Sequence, residues 1–109
     1  MTYQQISNMI ESIGVPYAYY QFPAGTEQPT PFICFYFPDA DDFIADNTNY
    51  QKIEALMIEV YTDEKDFTLE STTEAVLKEA GLVYSRTESY IDSERMHMTV
   101  YETEVLING

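Results

Sequence analysis

The stretch KIEALMIEVYT, residues 52–62, decides how the rest of the chain is read. Leu56, Ile58 and Val60 alternate with Ile53, Ala55, Met57 and Tyr61, so both sides of an extended segment are apolar. A run of period two, rich in β-branched and aromatic residues, reads as a strand. FICFYF, residues 32–37, has the same character, with Phe32, Cys34 and Tyr36 on one side and Ile33, Phe35 and Phe37 on the other. A strand that is apolar on both sides has to be covered on both sides.

Working outward, two segments have helical spacing. Ile6, Met9, Ile10 and Ile13 predict a helix over 2–13, with Thr2 placed to cap it and Gly14 and Pro16 to stop it. Leu69, Thr73, Val76, Leu77 and Ala80 predict a second helix over 66–80, ended by Gly81. Ser71 and Glu74 have capping-box spacing, so the regular helix could also begin as late as Ser71. YAYYQF, 17–22, reads as extended, and PAGTEQPTP, 23–31, as a turn-rich loop. Two more strands, about 83–90 and 95–106, are joined by the short IDSE turn. The order is α-β-β-β-α-β-β. It predicts an α+β fold: a mostly antiparallel sheet of about five strands with two helices packed on it.

In the last strand Met96, Met98 and Val100 share one side, and Arg95, His97, Thr99 and Tyr101 the other. Beyond Val100 the apolar set changes parity to Tyr101, Val105 and Ile107. Either the strand bulges near Tyr101, or different faces are covered along its length.

Charge narrows the function classes. The 109 residues carry nineteen Asp and Glu against five Lys and Arg, a formal net charge of −14, and the first 51 contain no Lys or Arg. Phosphate neutralisation needs clustered cations, so nucleic-acid and anionic-membrane binding are disfavoured. The aromatic positions from Tyr17 to Phe37 have no cations beside them for base stacking and read as core or protein interface. No run is long and apolar enough for a membrane span, and the N-terminus lacks the basic start of a signal peptide.

Catalytic chemistry finds little to work with. His97 is the only histidine and Cys34 the only cysteine. Cys34 lies in an apolar run and reads as a small buried residue. The serines near His97 sit in no nucleophile elbow, so His97 reads as an ordinary strand residue. One His and one Cys do not make a usual zinc site. Asp39, Asp41, Asp42 and Asp46 invite a loosely held Mg²⁺ or Ca²⁺, but Phe43 and Ile44 occupy the fifth and sixth places of the would-be calcium loop. We therefore assign no catalytic, cofactor-binding or dedicated metal residues; a solvated loop is the favoured reading of the four aspartates, and a weak divalent site the alternative.

Two helices cannot cover both faces of such a sheet. Either the sheet curves over itself or a second subunit covers it. The second is favoured because DADDFIADN, 39–47, looks like a protruding arm. Candidate interface residues are Phe32, Phe35 and Phe37 in the strand and Phe43 and Ile44 in the arm.

Residues 60–105 also resemble a known group. The features are a strand ending in YTD, a charged turn with KD, an acidic helix ending in EAG, then YSRTESYIDSE and a strand with Met and Tyr. The preceding GVPYAYYQFP fits as well. This pattern is similar to tail-terminator or tail-completion proteins, which join head and tail in long-tailed bacteriophages and prophages of Gram-positive hosts. The resemblance implies a single tail-terminator-like domain over 1–109, without enzymatic activity or cofactor. It implies a homo-oligomeric ring, commonly a hexamer, that caps the tail tube and contacts neck or connector proteins. DNA would pass through without specific binding. The protein would reside in the virion, and in the host cytoplasm during assembly. Two alternatives stay open: a neck or head-closure protein of the same module, and an acidic module that mimics DNA or inhibits a host enzyme.

Overall fold

The computed structural model describes residues 1–25, 27–38 and 52–108. The arm 39–47, with Asp39, Asp41, Asp42, Asp46, Phe43 and Ile44, lies outside the described residues. The elements follow in the predicted order: α1 (Tyr3–Glu11), β1 (Tyr17–Tyr19), β2 (Phe32–Tyr36), β3 (Lys52–Thr62), α2 (Phe67–Glu79), β4 (Tyr84–Ile91) and β5 (Met96–Ile107). The architecture is α+β, a five-stranded sheet of order β1-β2-β3-β5-β4 with two helices. Three of its pairings are antiparallel and β1–β2 is parallel, so the sheet is mixed.

Both helices pack on the same face. Ile6, Met9 and Ile10 of α1 and Leu69 and Leu77 of α2 meet Ile33, Phe35, Leu56, Ile58, Val60, Tyr101, Val105 and Ile107 in one buried cluster. Thr73, on the inward stripe of α2, is fully buried and its hydroxyl donates to the Leu69 carbonyl at 2.9 Å. Ala80, expected on that stripe, is exposed because it caps the helix end instead.

The parity change in β5 needs no bulge. Its pairing with β3 runs in unbroken register from Lys52↔Ile107 to Thr62↔His97. Thr99, Tyr101, Thr103, Val105 and Ile107 all face the helices, and Met96, Met98 and Val100 face the other way. The apolar residues change sides because the two faces of one strand are apolar at different ends.

Both helix ends follow from local chemistry. Thr2 and Gln5 form a reciprocal capping box at the start of α1. Asp66, rather than Ser71, caps α2: its side chain accepts from the Leu69 amide at 2.9 Å. At the far end Gly81 adopts φ 78°, and the Leu82 amide returns to the Leu77 carbonyl at 3.0 Å, the bond pattern of a Schellman ending. Asp66→Ala is expected to cost about 1 kcal/mol of stability, read as a lowered urea midpoint. Ser71→Ala should leave the midpoint nearly unchanged.

Candidate assembly surface

The face turned away from the helices is built from alternate residues of the three central strands. Cross-strand partners place Phe32 beside Tyr61, Cys34 beside Glu59 and Tyr36 beside Met57. They also place Ile53 beside Leu106, Glu59 beside Val100 and Tyr61 beside Met98. Among the described residues no helix lies on this face. Ile53 is 70% exposed and Leu106 44% exposed. Toward the middle the side chains are half-buried because they shield one another: the rings of Phe32 and Tyr61 stack at 4.8 Å.

One edge of the face is folded over by the chain after β1. Tyr20 adopts φ 71°, which turns the backbone. The Tyr20 ring then lies 5.5 Å from Tyr36, and Phe22 meets Phe32 edge-on at 5.4 Å. Between this flap and the β4–β5 turn runs a cavity of about 390 Å³, lined in part by Phe32, Cys34, Tyr61 and Met96.

A single carboxylate sits in the midst of these groups. Glu59 accepts from the Tyr61 hydroxyl at 2.7 Å and from the Tyr36 hydroxyl at 3.2 Å. Burial, followed by the bond to Glu59, pushes the Tyr61 hydroxyl well above its ordinary value. Burial and the Glu59 charge push the Cys34 thiol up to about 11, so it stays protonated and weakly nucleophilic near neutral pH. That agrees with reading Cys34 as structural; it is 5% exposed.

The expected interface residues divide. Phe32 lies on the open face. Phe35 is 6% exposed and belongs to the subunit's own core, because its side of β2 faces the helices. Phe37 is half-buried on that same side, its ring edge-on to Tyr3 at 5.2 Å. Ile53, Met57, Tyr61, Met98 and Leu106 were not singled out, although the alternation in β3 and β5 carried the signal.

His97 is not a plain surface residue: its side chain is 14% exposed. It approaches Glu88 to 3.1 Å without hydrogen-bond geometry. Ligand atoms of Glu70, Glu88 and His97 lie within 4.8 Å of one another. The Lys65 ammonium, however, binds Glu70 at 2.8 Å and Glu88 at 2.7 Å, occupying the place a metal ion would take. Arg86 adds contacts to Glu70 at 3.4 Å and Glu74 at 2.7 Å. The bond from Lys65 holds the Glu88 carboxyl below its ordinary range. The cluster is an ion-pair network tying the start of α2 to β4 and β5. Its key member, the buried Glu70, lay hidden in an acidic helix, though it shares a helical stripe with Thr73 and Leu77.

A chain of a native gene transfer agent virion has the same fold. It matches with a TM-score of 0.57 at 16% identity, over 98% of this chain and 91% of that one. No family model matches the sequence, and no curated protein does.

Tyrosine burial sets a pH limit on this arrangement. Burial and hydrogen bonds to carboxylates raise Tyr61 and Tyr101, and raise Tyr3 to about 12. A folded-state value above the unfolded one contributes stability that is fully present below the unfolded value, near 10, and is lost as pH rises past it. The urea midpoint is therefore expected to fall steadily above about pH 10. A midpoint that stays flat through about pH 12 would show that these hydroxyls ionise as freely as in the unfolded chain.

Proposed function

We propose that this chain is a non-enzymatic structural protein of a phage-type virion, forming a ring that caps the tail tube and joins it to the head. The observation that carries this reading is the open face of the sheet: Phe32, Tyr36, Met57, Tyr61, Met98 and Val100 surround the carboxylates of Glu59 and Glu102, with no helix over them among the described residues. The shared fold with a chain of a gene transfer agent virion supports the same reading. The resemblance of residues 60–105 to tail-terminator proteins supports the finer role.

The mechanism is architectural. Subunits associate through the open face, stop tube growth by occupying its end, and present a docking surface to the neck. A net charge of −14 per subunit keeps the lumen from holding DNA, since like charges repel at close range. The same charge opposes assembly. Salt shortens the screening length from ~30 Å at 0.01 M to ~10 Å at 0.1 M, so rings are expected to gain from moderate salt. Sedimentation at fixed protein concentration checks this. Rings that dissolve as salt rises would mean that opposite-charge pairing dominates the contact. The role itself is tested by assembling particles without this protein. Overlong tubes and unjoined heads are expected; finished tails of normal length on filled heads would overturn the reading.

A further inference from the structure

On the helix side of the sheet, at its β1 edge, Tyr3, Tyr19, Phe35, Phe37 and Glu54 line a cavity of about 360 Å³. Its rings are set at angles to one another. Tyr3 meets Phe37 edge-on at 5.2 Å, Tyr19 meets Phe35 edge-on at 5.4 Å, and Tyr19 lies 6.1 Å from Phe37. Tyr3 is 48% and Tyr19 51% exposed, so the aromatic walls open to solvent.

The floor carries a charge. The Glu54 side chain is only 7% exposed. Its Oε2 accepts from the Tyr3 hydroxyl and lies 3.6 Å from the Lys52 ammonium. Its Oε1 is buried with no hydrogen-bond partner among the described residues. A buried carboxylate oxygen without a donor is costly and calls for one.

Three of the five side-chain cations, Lys52, Lys65 and Arg86, are already engaged, while Lys78 lies in the last turn of α2 and Arg95 in the turn before β5. Residues 1–51 contain no Lys or Arg, so neither the segment 39–51 nor the flap after β1 can bring a side-chain cation. The N-terminal ammonium is taken by the Leu106 carbonyl and the Asn108 side chain at 2.7 and 2.8 Å. Lys65 and Arg86 are held in the network with Glu70, Glu74 and Glu88. Lys52 is engaged with the other oxygen from the solvent side, its side chain 51% exposed.

We propose that this cavity is a binding site for a cationic side chain, a lysine or arginine presented by a neighbouring protein chain. The aromatic faces would hold the cation through their quadrupoles, and the Glu54 carboxylate beneath them would balance its charge. The site does not depend on ring formation, since its lining residues Tyr3, Tyr19, Phe35, Phe37 and Glu54 all belong to one subunit.

The test uses the full chain and small probes, followed by NMR shifts of the aromatic signals. N-acetyl-arginine amide and N-acetyl-lysine amide are expected to shift Tyr3, Tyr19, Phe35 and Phe37 saturably. N-acetyl-citrulline amide, which keeps the shape of arginine without its charge, should bind about tenfold more weakly or worse. Glu54→Gln, which preserves the bond from Tyr3, should abolish the preference for the charged probe. Tyr19→Leu removes an exposed wall and should weaken binding several-fold in a chain that folds normally. Equal shifts from arginine and citrulline probes, unchanged binding in Glu54→Gln, or no saturable shift up to the solubility of the probe would each overturn the proposal. None of these results bears on whether the open face joins subunits.

Discussion

Replacing Tyr101 with Ala is expected to destabilise the fold by about 3–5 kcal/mol, the usual cost of emptying a buried aromatic site. Tyr101 is fully buried in β5, which lies between β3 and β4, and its ring is edge-on to Tyr84 at 5.5 Å. Its hydroxyl donates to Glu74 at 2.8 Å, so the same side chain fills the core and anchors α2. Burial raises the Glu74 carboxyl, but the bonds from Tyr101 and Arg86 outweigh it and hold the group below its ordinary range. Tyr101→Phe keeps the ring and removes only the donor, and should cost about 1–2 kcal/mol. Against a total of about 5–15 kcal/mol for a domain, the Ala variant sits near the limit of folding. Urea denaturation of both variants separates the two contributions. Equal losses would mean that the hydrogen bond, not the packing, carries the site.

The second large effect concerns association and not stability. Ile53 and Leu106 face each other across β3 and β5 on the open face, and both are exposed in the single subunit. Aspartate at either position should leave the unfolding free energy, measured in urea, within about 0.5 kcal/mol of the parent, as surface substitutions usually do. In an assembled ring the same change would place an unpaired charge inside a contact already crowded with Glu59, Glu102 and Glu104. Loss of at least about 2 kcal/mol, or some thirty-fold in self-association, is expected if the position lies at the heart of the contact. Sedimentation of the two variants beside the parent measures it. Undiminished association with an intact fold would move the contact to another surface.

The elements were legible because each carries its own local signal. Thr2 and Gln5 cap α1, Gly81 ends α2, and strict alternation marks β3. The parallel pairing of β1 with β2 was not legible, since a three-residue strand leaves no periodicity to read and its register is set by tertiary contacts. Which side of β2 faces the helices was equally hidden. Both sides are apolar, so Phe35 and Phe32 look alike in sequence, and only the position of α1 makes the first core and the second surface. The ion-pair network was missed for a different reason. Lys65, Glu70, Arg86, Glu88 and His97 are scattered over α2, β4, β5 and the turn before α2, and Glu70 looks like any other acid on an acidic helix until the fold buries it. His97 carried the strongest sequence signal, as the sole histidine, and proves to be a peripheral member of that network.

The claim on which the functional reading rests is that the open face of the sheet is a contact between copies of this chain. The mass of the native particle in solution, at about 0.15 M salt where screening is strong, tests it most directly. The account predicts a discrete species several times the 12.6 kDa of one subunit, lost in the Ile53→Asp and Leu106→Asp variants. A parent protein that remains a single 12.6 kDa species up to the highest attainable concentration would contradict it.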